Sequence, residues 1–196
     1  MRRNKKDTAE TIQRLLEVAR QHFTAHGYAD CSLEEIAKTA EVTRGAVYHH
    51  FGSKKGLFKE VLELVQREVA RRLEAEAARS DDLWEQLYVG CRAFMTVATE
   101  PENRRIMLID GPAVLGWEEW RLMDEQQSMR QLYEQLELMQ QQGYLKDIRL
   151  AAATHLLSGA LNEAALWLAQ IASSAEAAEA MEDCLHTLRK LLEGIR

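Results

Sequence analysis

The 196-residue chain is 46% apolar and 29% charged, a globular composition that excludes a disordered or low-complexity protein. No run approaches the ~20 apolar residues needed to span a bilayer, and MRRNKKDTAETIQ has the basic start of a secretory leader with no apolar stretch behind it, so a cytoplasmic protein without a membrane partner is expected. The net charge of −6 is unevenly spread: residues 1–60 hold 11 Lys and Arg against 8 Asp and Glu, the remainder 14 against 23, joining a basic head to an acidic body.

Only two prolines occur, Pro101 and Pro112, and apolar residues recur at three and four rather than at two, which predicts an all-α fold. A first helix opens with Asp7 as N-cap and Glu10 three residues on, carries Ile12, Leu15, Leu16, Ala19 and Phe23 on one stripe, and ends at Gly27. Ser32 and Glu35 form a capping box for a short second helix bearing Leu33, Ile36, Ala37 and Ala40. Thr43 caps a third helix, Arg44 to His50. Ser53 caps a long fourth one whose stripe runs Leu57, Val61, Leu64, Val65, Val69 and Leu73. Further helices are expected at about 82–99, 102–110, 118–142, 147–172 and 175–194.

Residues 33–51 have the parts of a helix-turn-helix: Ala37 as the small contact, Glu41 to Thr43 as the turn, and Val42, Ala46 and Val47 to pin the second helix. Arg44, Gly45, Tyr48 and His49 then face outward. Arg44 can make a bidentate bond to guanine or hold a phosphate, Gly45 admits a close backbone approach, and Tyr48, His49 and His50 can donate to phosphate oxygens. Lys54 lies in the first turn of the next helix, where free amide N–H groups also favour an anion.

The run LEEIAKTAEVTRGAVYHHFGSKKGLFKEVL resembles, almost position by position, the signature of the tetracycline-repressor (TetR) family, including Tyr48, Phe51 and the lysine of the following helix. The resemblance covers about residues 8–60. It implies a repressor dimer that binds double-stranded operator DNA and is loosened by a small molecule in its larger lobe. Carried over by position, Thr43, Arg44 and Gly45 would meet bases or phosphates, and Ser32, Tyr48, His49, His50 and Lys54 mainly phosphates; His49 stands where an aromatic is common. The division expected is a DNA-binding domain at 1–53 and a ligand-binding and dimerisation domain at 54–196.

Residues 147–172 are apolar nearly all round, so such a helix must be covered on two sides. With the heptad-like Met181, Cys184, Leu188 and Leu191, two helices per chain suit a four-helix homodimer interface, with Leu156, Leu157, Leu161, Met181 and Leu188 as its contacts. The stretch MLIDGPAVLGWEEWRLM has a Gly-Pro break that delivers Trp117 and Trp120 close together. Together with Phe94, Met107, Met123 and Tyr133 they either line a cavity for a largely apolar effector or belong to the core.

An enzyme is the rival class. Asp81, Asp82 and Glu85 have a magnesium-like spacing, and Glu182 and His186 sit one helical turn apart, but neither pattern has the second half that such sites require. Cys31, Cys91 and Cys184 show no CxxC and read as packed thiols. No catalytic residue, metal or cofactor is expected. The alternative within the same fold is a DNA-binding or protein-interaction module without a small-molecule inducer.

Overall fold

The computed structural model describes the backbone of residues 5–195, with side chains from Thr8 onward, and every regular element among them is helical. In chain order these are α1 (Lys5–Asp30), α2 (Leu33–Thr39), α3 (Arg44–Phe51), α4 (Lys54–Ala77), α5 (Leu83–Thr99), α6 (Pro101–Arg104), a π-helical turn (Arg105–Asp110), α7 (Gly111–Leu115), α8 (Trp117–Glu125), α9 (Ser128–Gln141), α10 (Leu150–Gln170) and α11 (Ser174–Glu193). None is long and apolar enough to cross a membrane. The chain forms two compact units, one of residues 1–65 with 101–120, the other of 66–100 with 121–196. A cut between 53 and 54 therefore does not describe the packing: the first half of α4 and a segment from the middle of the chain both belong with the N-terminal helices.

In the first unit, α1 is already helical at Lys5, so Asp7 lies inside the helix rather than capping it, and its side chain is outside the described residues. Gly27 leaves the helix with φ 80°, where the Arg105 guanidinium lies so close that a Cβ would sit 2.2 Å from it. Arg105 donates to the His26 carbonyl at 3.0 Å, and Asp110 accepts from the Tyr28 amide at 2.8 Å. These bonds tie the π-helical turn to the end of α1. Leu15, Phe23, Ile36, Val47, Leu57 and Phe58 form the core, with Phe58 edge-on to Phe23 and to Tyr28, each at 5.2 Å.

The predicted break at Gly111-Pro112 is absent; helix continues from Pro101 to Leu115. A proline inside an α-helix removes one donor and clashes with the preceding turn, and a π-helical turn just before it absorbs the misfit. The Gly111 amide reaches back five residues to the Ile106 carbonyl. Pro112 has no N–H to offer Met107 in the same pattern, and the indole N–H of Trp120 donates to the Met107 carbonyl instead, at 2.8 Å. Position 111 must be glycine, because a Cβ would lie 2.8 Å from the Trp120 ring.

In the second unit, Asp82 caps α5 by accepting from the Glu85 amide at 2.8 Å, and Glu85 pairs with Arg189 of α11 at 3.8 Å. The DDxxE-like spacing is thus a helix start. The single helix expected over 118–142 is two, α8 and α9, separated at Gln127, whose φ/ψ of −123/−104 is non-helical. On α10, Thr154, Ser158 and Asn162 form a buried polar stripe. Ser158 accepts from Arg121 at 3.1 Å, and Asn162 donates to Asp124 at 3.5 Å.

Candidate functional site

The turn between α2 and α3 is fixed by two bonds that wrap the end of α2: Val42 N–H to the Ala37 carbonyl at 2.9 Å and Glu41 N–H to Lys38 at 3.1 Å. This is a Schellman ending with Glu41 in the left-handed region, φ 56°, where glycine is usual. Ser32 caps α2 by accepting from the amides of Glu34 and Glu35, and Thr43 caps α3 by accepting from Ala46 at 3.2 Å. Both hydroxyls keep a hydrogen to donate. Val47 is the one fully buried side chain of α3; Thr43, Arg44, Gly45, Tyr48 and His49 are exposed and His50 half-buried.

That exposed face is built of groups that bind nucleic acid. Arg44 pairs with Glu34, donates to the Tyr48 hydroxyl at 3.4 Å and lies 5.4 Å from that ring's centre. A Cβ on Gly45 would meet nothing nearer than 3.9 Å, so the fold itself has no need of glycine there. Gly56 is the opposite case, since a Cβ would sit 2.0 Å from the Phe51 carbonyl and close the α3–α4 corner. Lys54 is half-buried, donating to the Ala29 carbonyl at 3.0 Å with its ammonium 4.6 Å over the Tyr28 ring. It holds the end of α1 rather than standing free at the N-terminus of α4, although two of its three donors remain.

The second unit contains a cavity of about 640 Å³ between α4, α5, α9 and α10. Leu73, Leu87, Phe94, Met129, Leu138 and Leu161 supply apolar wall, and Glu74, Asp124, Ser128, Gln131 and Glu134 supply polar groups. Burial pushes the Cys91 thiol in this wall up to about 12, leaving it neutral. Asp124 is buried, which raises its pKa, while Arg121 at 2.8 Å and Asn162 pull it back.

Of the expected effector residues, Phe94 alone lines this cavity. Trp117 and Trp120 are adjacent as expected, ring centres 5.2 Å apart, but they belong to the first unit with Met107. Trp117 is 66% exposed, and Trp120, at 4%, is committed to the Met107 carbonyl. Met123 is buried and Tyr133 exposed, both away from the cavity wall. The residues missed were apolar ones that read as core, such as Leu73, Leu87 and Met129, and polar ones, which in a helical sequence carry the pattern of a solvated face.

The expected dimer contacts divide in the same way. Leu161 and Leu188 are each 7% exposed inside one protomer, so they are core, whereas Leu156 is 75% exposed and Leu157 and Met181 are partly exposed. Trp167, not singled out by spacing, and Leu191 of the heptad-like series add to the outward apolar surface of α10 and α11.

Residues 15–61 match the family model for bacterial regulatory proteins of the tetR family, and residues 84–195 match that for a tetracyclin repressor-like C-terminal domain. A TetR-family transcriptional regulator from Pectobacterium atrosepticum is 35% identical, with 98% of this chain and 97% of that one superposing at a TM-score of 0.81. The transcriptional regulator AcrR of Shigella flexneri is 45% identical over 75 residues, 38% of this chain and 34% of that protein. TtgR of Pseudomonas putida is 34% identical over 112 residues, 54% and 51%. The matched segments thus span about a third to a half of the curated relatives' length.

Proposed function

Because the chain belongs to the tetR family of bacterial regulatory proteins, we propose that it represses transcription as a two-fold dimer on a palindromic operator and leaves when a small molecule fills the cavity. One observation carries the DNA-binding part: α3 presents Arg44, Gly45, Tyr48 and His49 to solvent from a core-anchored, doubly capped motif. Placed in a major groove, α3 brings Arg44 to a guanine edge, and Gly45 lets the backbone follow it in. Thr43, Tyr48, His49 and His50 reach bases or phosphates alongside. Ser32 and the two uncommitted donors of Lys54 hold phosphates on either side.

The outward surface of α10 and α11, with Leu156, Leu157, Trp167, Met181 and Leu191, supports pairing with a second copy. Two recognition helices then address half-sites about one duplex turn, ~34 Å, apart. An effector that prefers the non-binding conformer by ~3 kcal/mol lowers the DNA-competent fraction roughly a hundredfold, enough for induction; one that binds both conformers equally does nothing. No metal or cofactor enters this reading.

The experiment is selection from random duplex DNA followed by footprinting, with Arg44→Ala and Lys54→Ala in parallel. Wild type recovers a palindrome. Arg44→Ala relaxes its sequence preference, while Lys54→Ala flattens the dependence of log K on log salt by about 0.9 for each phosphate no longer neutralised, roughly 2 per dimer. Recovery of no common sequence, or both variants binding like wild type, removes α3 as the reader.

A further inference from the structure

Lys54 has a built seat. Its ammonium lies 4.6 Å over the face of the Tyr28 ring and donates to the Ala29 carbonyl at 3.0 Å. The seat is rigid because its backbone is tied to the π-helical turn. Gly27, at φ 80°, turns the chain out of the regular part of α1, and the bonds from Arg105 to the His26 carbonyl and from the Tyr28 amide to Asp110 fix the residues that flank it. The Tyr28 ring is fixed as well, edge-on to Phe58 at 5.2 Å and stacked at 6.0 Å on Phe23, both fully buried. Burial raises the Tyr28 pKa, so the ring beside the ammonium stays a neutral phenol.

A lysine is a compact charge on a flexible stem, and ordering it against a phosphate costs much of that freedom. A carboxylate can order a lysine, but it cancels the charge that phosphate needs. Lys55 and Lys59, on the same helix, are held in that way by Glu119, at 3.4 and 2.6 Å. Lys54 is held by a ring face and a neutral carbonyl, and among the described residues no carboxylate forms an ion pair with it. Its charge is therefore intact and two of its three hydrogens are left over. Ala29 also stands only three residues before Ser32, the cap of α2 that is proposed to meet phosphate.

We propose that Tyr28 is a positioning residue for DNA binding: its ring, with the Ala29 carbonyl, keeps the Lys54 ammonium ordered and unneutralised, so that a phosphate takes its two remaining hydrogens. Tyr28 acts through Lys54 and does not itself touch DNA. The inference rests on the proposed phosphate contact of Lys54.

A double-mutant cycle tests it, read by fluorescence anisotropy on a labelled duplex that carries the palindrome recovered by selection. Tyr28→Phe keeps the ring face and should bind like wild type. Tyr28→Leu should bind about fivefold more weakly, part of the cost of ordering a free lysine, and should have no further effect once Lys54 is alanine. A merely structural role would weaken binding equally in both backgrounds; that outcome overturns the inference, as does wild-type affinity for Tyr28→Leu. Because leucine also removes packing from Phe23 and Phe58, 3,4,5-trifluorophenylalanine at position 28 repeats the test with the ring's shape kept and the negative potential of its face withdrawn. It should bind about threefold more weakly than Tyr28→Phe, and only where Lys54 is present. Equal binding of the two rings overturns the inference. Wild-type affinity for Lys54→Ala overturns both the phosphate contact and the inference that rests on it, whereas the outcomes above leave that contact standing.

Discussion

The guanidinium of Arg44 is held by the carboxylate of Glu34, ten residues earlier and on the other helix of the motif. Both side chains are largely exposed, so solvent screens the pair and it contributes little to stability. It nonetheless competes with DNA, because Arg44 must leave Glu34 to reach a base and the carboxylate then faces phosphate. Glu34→Gln should therefore tighten operator binding about threefold to fivefold. Fluorescence anisotropy with a labelled operator checks this; unchanged or weaker binding means the pair orients Arg44 rather than restraining it.

Two glycines of the same region should respond oppositely to alanine. At Gly56 the added methyl collides with the Phe51 carbonyl, which no side-chain rotation relieves, so Gly56→Ala should cost at least ~2 kcal/mol in urea denaturation. At Gly45, in the first turn of α3, there is room, and alanine gives up less backbone freedom on folding than glycine, so Gly45→Ala should be as stable as wild type or ~0.5 kcal/mol more. Its operator affinity should fall at least tenfold if the backbone approaches DNA there.

The proposed interface gives a contrast between neighbours on one helix. Leu156→Glu, on the outer surface of α10, should yield folded monomers by light scattering, with helicity retained by circular dichroism. Leu161→Glu buries a carboxylate in the protomer and should unfold or precipitate the protein. A folded dimer for Leu156→Glu would move the interface elsewhere.

Asp124 predicts a pH dependence of the opposite sign to most carboxylates. Burial raises its folded pKa above the unfolded value, so its ionisation opposes folding: its contribution is most favourable below the unfolded value and is lost as pH rises through the folded one. Asp124→Asn removes that titration. The stability of wild type relative to Asp124→Asn should rise as pH is lowered from 7 through the carboxylate range, measured as the difference in melting temperature at each pH. A difference that falls over the same range would mean that the Arg121 pair outweighs burial.

The helix-turn-helix was legible because its determinants are local: Ser32, Thr43 and Ser53 each cap the helix that follows, and the apolar spacing places Ile36, Ala37 and Val47 inward. The cavity was not, because its defining groups are glutamines, glutamates and serines on amphipathic helices, and nothing in their spacing separates a polar lining from a wetted surface. The same limit made α10 read as apolar nearly all round, while its Ser158 and Asn162 meet Arg121 and Asp124, partners up to 38 residues away. The α8–α9 break carries neither glycine nor proline, so periodicity ran straight through it.

The bond from Trp120 to the Met107 carbonyl stands in for the amide hydrogen that Pro112 lacks. The two positions therefore compensate for one another. While proline is at 112, phenylalanine at 120 would preserve the ring and orphan the carbonyl. Once 112 regains an N–H, the indole nitrogen at 120 becomes dispensable. Related chains should therefore drift at 112 before they drift at 120, and lineages that keep Pro112 should keep a side-chain donor opposite it.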